Sequence, residues 1–195
     1  MDGSMTDPPK RSRLTAAQRR MVTELHAIAE ATGMDFWNAD ERETHRTEFL
    51  RLALRQIVNA RIINRYTMVD EYLTMIICDY YFWRRVRERT YRRLWQMKEF
   101  QTFNHFLMDE TYIINKMNIV KAIDPLPSQV EAIINRMDAL RNAIAHSLFP
   151  ENRRKHMPAK KVLYDSVDIY TIDGVRKLES DFQTIRRAME ARIKP

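Results

Sequence analysis

The sequence predicts an all-α fold, a bundle of about five or six helices. Three observations carry this. Glycine and proline, which punctuate helices, number only three and seven in 195 residues. Leu, Ile, Met, Arg and Glu are abundant, most of them good helix formers. Apolar residues recur at steps of three and four, while few stretches alternate as strands do. The length suits one domain with a substantial core, which we place at 14–195, behind a disordered lead at 1–13.

The elements follow in order. Thr15 and Gln18 form a T-x-x-Q capping box that starts the first helix, and Gly33 offers its stop. Met21, Val22, Leu25 and Ile28 supply the apolar stripe. A second helix spans about Asp40 to Arg65, with Phe49, Leu50, Leu52, Ala53, Ile57 and Ile62 facing inward. The next segment, 68–86, is apolar on almost every side, which marks a central helix or one that packs on a second subunit. Residues 94–123 are helical with at least one break. Ser128 and Glu131 then form an S-x-x-E box at the start of a further helix that runs to Ser147. Residues 161–172 are the only candidate β-hairpin, turning at Asp165-Ser166. The last helix, Gly174–Ile193, repeats Val175, Leu178, Phe182, Ile185, Met189 and Ile193 at helical spacing.

Composition excludes several classes of function. A lone cysteine, Cys78, cannot form an internal disulfide and suits a reducing compartment, where it reads as a small buried residue. The twelve methionines read as adaptable core filling. No apolar run approaches the roughly 18–20 residues of a membrane helix, and residues 1–13 lack the apolar region of a secretory signal. We expect a cytoplasmic protein with no membrane partner. Three scattered glycines build no phosphate loop, and His26, His45, His105 and His156 have no metal-ligand spacing, so neither cofactor nor metal is expected.

The net charge of +7 points instead to a polyanion. Its excess is clustered in "RRVRERTYRR" (84–93) and "NRRKHMPAKK" (152–161). Arg84, Arg85, Arg153, Arg154 and Lys155 are the candidate RNA-binding residues.

Between these runs lies "LRNAIAHSLFP" (140–150). On the helix from Ser128, Val130, Ile133, Ile134, Met137, Leu140 and Ile144 share one arc, and Arg141 falls inside it. A guanidinium on an apolar arc must either escape at the helix end or meet an anion, since burying it unpaired is costly. His146 follows at the same helix end. Asp79, among aromatic residues in "TMIICDYYFW", is a candidate carboxylate partner for Arg141. The spacing alone is common: Arg19 and Arg20 stand similarly before His26. Asn142, the helix end and the basic run that follows distinguish "RNAIAH".

This stretch resembles the motif of the HEPN superfamily (higher eukaryotes and prokaryotes nucleotide-binding), R-x(4–6)-H, often R-N-x-x-x-H. The likeness is close at the motif and looser over the helical region 40–193. It implies a HEPN-like bundle that dimerises with two motifs facing across a shared cleft. The implied activity is metal-independent endoribonuclease, in a toxin, phage-defence or RNA-processing setting. Arg141 and His146 would be the catalytic pair, with Asn142 as an orienting neighbour. RNA and a second copy are the implied partners, with an inhibitory antitoxin or regulatory protein as a further one. HEPN toxins paired with nucleotidyltransferase antitoxins often carry tyrosine two positions after the histidine; Leu148 stands there, so that pairing is not inferred. The alternative is a HEPN-like helical protein that binds RNA or a protein without cleaving.

Overall fold

In the computed structural model the described residues are 15–31, 46–82, 95–146 and 161–193. The fold is all-α with one short antiparallel hairpin. In chain order the elements are α1 (Ala16–Ala31), α2 (Arg46–Phe82), α3 (Lys98–Phe103), a π-helical turn (Asn104–Met108), α4 (Ile113–Ile123), α5 (Ser128–Ala145), β1 (Leu163–Tyr164), β2 (Val167–Asp168) and α6 (Ile172–Glu190). The chain forms two compact units, 1–53 and 54–195.

In the first unit α1 begins directly after Thr15, whose carbonyl accepts the first helical bond, from the Arg19 amide at 3.0 Å. Ile28, expected in the apolar stripe, is exposed. Gly33, Asp40 and the side chain of Phe49 lie outside what is described.

The two helices expected at 40–65 and 68–86 are one. Tyr66 and Thr67, the residues between them, are neither glycine nor proline, so nothing interrupts the backbone ladder of the 37-residue α2. Only part of the expected inner face is buried. Ala53 and Ile62 are, whereas Leu50 is 51% and Ile57 56% exposed and Leu52 is also exposed. The later stretch behaves as expected of a central helix: Val69, Leu73, Ile76, Ile77, Cys78 and Phe82 are all buried. Lys116 of α4 is buried against this helix and donates to Asp70 Oδ2 at 2.7 Å, which satisfies a charge that could not stay there alone.

The break expected within 94–123 falls at 109–112, between the π-helical turn and α4. The S-x-x-E box does not form. α5 starts at Ser128 itself, Pro127 takes the capping position, and no side chain caps the helix. The Glu131 carboxylate accepts from Lys121 Nζ at 2.9 Å instead.

The hairpin turns at the expected residues. Asp165 (φ 50°) and Ser166 (φ 69°) both adopt left-handed backbone, the pattern of a two-residue type I′ turn. Pairing runs Leu163 to Asp168 and Tyr164 to Val167. α6 then starts two residues before Gly174, with the Thr171 hydroxyl capping it by accepting from the Gly174 amide at 3.2 Å. A Cβ on Gly174 would lie 2.2 Å from the Asp168 carbonyl oxygen, so only glycine lets α6 start this close to β2.

The core of the second unit joins the arcs the sequence marks. Val130, Ile133, Ile134, Met137, Leu140 and Ile144 of α5 meet Leu178, Phe182, Ile185 and Met189 of α6 in one cluster with α2 and α4. Polar clamps close its edges. Glu179 of α6 accepts from both Arg65 and Arg61 of α2, and the Arg65 guanidinium carbon sits 4.1 Å from the Phe182 ring centroid.

Candidate functional site

Four side chains of α2 and α5 form a closed circuit around Arg141. Its Nη1 donates to Asn142 Oδ1 at 3.0 Å, and Asn142 Nδ2 donates to Asp138 Oδ2 at 3.1 Å. The other oxygen of Asp138 accepts from the Tyr66 hydroxyl at 3.0 Å, and the Arg141 guanidinium carbon lies 5.4 Å from the centroid of that same tyrosine ring. The circuit explains how an arginine sits on an apolar arc. Its guanidinium lies over an aromatic ring, its Nη1 is held by an amide oxygen, and it remains half-buried. Burial pushes the Tyr66 phenol well above its ordinary range, and the hydrogen bond to Asp138 and that residue's charge push it further, with Arg141 opposing.

Among the described residues no direct contact neutralises the charge of Arg141. Among the half-buried arginines, Arg65 meets Glu179, Arg136 meets Asp181 and Arg192 meets Asp124. Arg141 meets no carboxylate among the described residues; Asp138 reaches it only through the amide of Asn142.

His146 is the residue at which α5 ends, with non-helical backbone (φ −106°, ψ 5°), and it is exposed. Its side chain makes no hydrogen bond or ion pair with a described residue. Five helical positions separate it from Arg141, which sets the two roughly 140° apart around α5. Asn142 joins Arg141 directly, whereas His146 leaves α5 from a different side of the helix.

Asp79 is not the carboxylate at this site. It lies more than three turns beyond Tyr66 on α2, about 20 Å along the helix, and has interactions of its own. Asp138 takes the place the sequence offered to Asp79. Its relation to Arg141 and Asn142, three and four residues on, was readable as helix neighbours. Tyr66 gave no such signal, because its approach is tertiary. Arg84, Arg85, Arg153, Arg154 and Lys155 lie outside the described residues.

A second polar cluster escaped the sequence. Asp181 on α6 is 5% exposed, and its carboxylate accepts from Lys177 Nζ at 2.9 Å, Arg136 Nη2 at 3.0 Å and the Tyr164 hydroxyl at 3.0 Å. It thereby ties α5, α6 and the hairpin together. Burial alone would raise its pKa, but the three donors outweigh that and hold it below the usual range.

Cys78 is buried, and its thiol is pushed up to about 12 by burial and by the charge of Asp79, which suits an inert core residue rather than a nucleophile. Among the described residues no three His, Cys, Asp or Glu side chains gather as a metal site, and no helix is long and apolar enough to cross a membrane. No protein-family model, curated protein or solved structure matches the chain.

Proposed function

We propose that this protein is a metal-independent endoribonuclease in which Arg141 and His146 do the chemistry. What supports the reading is the state of Arg141: a half-buried, oriented guanidinium whose charge no described carboxylate neutralises. Such a group is ready for an external anion, and a phosphate in a chain of net charge +7 is the natural candidate. The exposed histidine at the same helix end can take or give a proton near neutral pH.

The reaction these residue types suit is attack of a ribose 2′-oxygen on the adjacent phosphorus. A histidine removes the 2′-hydroxyl proton, the new P–O bond forms, and the bond to the 5′-oxygen breaks as that oxygen is protonated. The products are a 2′,3′-cyclic phosphate and a 5′-hydroxyl. Negative charge that grows on the phosphorane is met by the guanidinium fork. Because Arg141 and His146 diverge around α5, the working site pairs them across a homodimer, one copy facing the other. Arg84, Arg85, Arg153, Arg154 and Lys155 hold the flanking phosphates. A toxin, phage-defence or RNA-processing role, with an inhibitory or regulatory protein partner, follows from the HEPN resemblance alone.

The same divergence favours a second reading, in which the helix end binds RNA or a protein without cutting. Incubation with RNA in EDTA separates the two. Arg141→Lys and His146→Ala should each lower cleavage by about 10²–10⁴-fold while circular dichroism stays unchanged. Arg20→Ala with His26→Ala, the similar spacing in α1, should leave cleavage near the wild-type rate. DNA, which lacks the 2′-hydroxyl, should resist. Wild-type cleavage by His146→Ala would hand the case to the binding reading.

A further inference from the structure

We infer that the cavity between α5 and the β1–β2 hairpin is a subsite for one unpaired guanine base of the RNA; the inference rests on the ribonuclease reading above. The cavity has a volume of about 190 Å³ and is lined chiefly by Arg136, Ala139 and Ala143 from α5 and by Val162, Leu163 and Asp165 from the hairpin. Drug-sized ligands fill pockets from roughly 300 Å³ upward, so this one suits a single flat ring system. Two alanines one turn apart leave the helix face low, and the apolar hairpin residues form the opposite wall. A flat base could enter between these two largely apolar sides by its faces.

The edge of the slot carries one guanidinium and one carboxylate. Arg136 Nη2 and Asp165 Oδ2 stand 4.0 Å apart, too far to satisfy each other by a hydrogen bond. Arg136 spends Nη2 on Asp181, and its buried Nε meets no acceptor among the described residues. Asp165 is held at the hairpin tip by left-handed backbone and by Lys177 Nζ at 3.1 Å, and its side chain stays 41% exposed. With Nη2 bound to Asp181 and Nε buried, Arg136 Nη1 is the nitrogen that can donate to the adjacent acceptors O6 and N7 of guanine. A neighbouring carboxylate takes the N1–H and N2–H donors on the same base. Adenine presents a donor where the guanidinium needs an acceptor, and the pyrimidines have no N7.

Position links the slot to the proposed chemistry. Residues 136, 139, 143 and 146 fall on one arc of α5, within roughly 80°. His146 follows Ala143 by one turn, about 4.5 Å along the axis. A base seated against Ala139 and Ala143 therefore has its sugar and phosphate beside the histidine, and the slot would choose which phosphodiester is presented.

The test uses full-length His146→Ala protein, so that no substrate is consumed, and uridine pentaribonucleotides carrying one central guanosine or adenosine. Equilibrium binding should favour guanosine by about 10-fold or more, the range of one well-made bidentate base contact. Ala139 is exposed, so Ala139→Leu fills the slot without entering the core and should erase the preference. Asp165→Asn should reduce it. In parallel, cut sites of the wild-type enzyme should show guanosine at a fixed position, and Ala139→Leu should scatter them. Equal affinity for the two oligonucleotides, or a preference that Ala139→Leu leaves intact, overturns the subsite while cleavage in EDTA would still support the nuclease. Guanosine preference abolished by Ala139→Leu, with no cleavage by wild type, would keep the site and overturn the nuclease.

Discussion

Replacing Asp138 by alanine removes the node of the circuit around Arg141, and its consequences can be worked out from the geometry. The carboxylate accepts two hydrogen bonds, from Tyr66 at 3.0 Å and from Asn142 at 3.1 Å. A hydrogen bond to a charged group contributes about 1.5–3 kcal/mol where it is buried. Both donors are half-buried, so water recovers part of that loss, and we expect a total of about 2 kcal/mol. With a urea slope of about 2 kcal/mol/M, the unfolding midpoint should fall by about 1 M with the slope unchanged. Asp138→Asn keeps an acceptor for Tyr66 but turns an amide towards Asn142, so it should lie between alanine and wild type. In a double-mutant cycle with Tyr66→Phe, the coupling should be about 1 kcal/mol. The Tyr66 phenol should also titrate at lower pH in Asp138→Ala, because the bond and the charge that help to raise it are gone. Asp138 positions Arg141 through Asn142, so cleavage should fall in Asp138→Ala and partly return in Asp138→Asn. An unchanged midpoint, or a coupling of zero with Tyr66→Phe, would mean that the four side chains do not act as a unit.

Four further outcomes are expected. Asp181 has a depressed pKa, so its stabilisation is complete above the unfolded value of 3.8 and is lost as pH falls through the folded value; Tm should drop steeply below about pH 4, and Asp181→Asn should flatten that drop. Asp181→Ala removes the acceptor shared by Arg136, Lys177 and the Tyr164 hydroxyl; Lys177 keeps Asp165 and both cations are partly solvated, so the cost in chemical denaturation should be about 2–3 kcal/mol. Gly174→Ala places a methyl 2.2 Å from the Asp168 carbonyl oxygen, and should destabilise by about 1–3 kcal/mol or more as α6 shifts away from β2; unchanged stability would refute the close approach. RNA affinity should weaken steeply with salt, and charge reversal at Arg84, Arg85, Arg153 and Arg154 should lower both the affinity and the salt slope without unfolding; a flat salt dependence would leave the basic runs as solvated surface.

What the sequence determined by itself is what depends on short range. Helical periodicity placed the cores of α5 and α6 correctly, because a single-faced apolar arc at 3.6 residues per turn has one way to be buried. The turn at Asp165-Ser166 was legible because both residue types tolerate the left-handed backbone or bond locally to their own chain. The unusual place of Arg141 on an apolar arc was also legible, being a conflict within one helix. Boundaries were less so: α2 runs straight through a point where two helices had been expected, and Ser128 lies inside α5 rather than capping it. Tertiary structure decided how the conflict at Arg141 is resolved. The tyrosine beneath the guanidinium comes from 75 positions earlier in the chain, and no local pattern encodes that approach. The carboxylate of the circuit is Asp138 and not Asp79 for the same reason: distance along a straight helix is fixed by its rise, so Asp79 cannot return to a neighbour of Tyr66. The buried Asp181, joined by donors from α5, α6 and β1, exists as a site only once those three elements pack, since an isolated carboxylate would have remained in water.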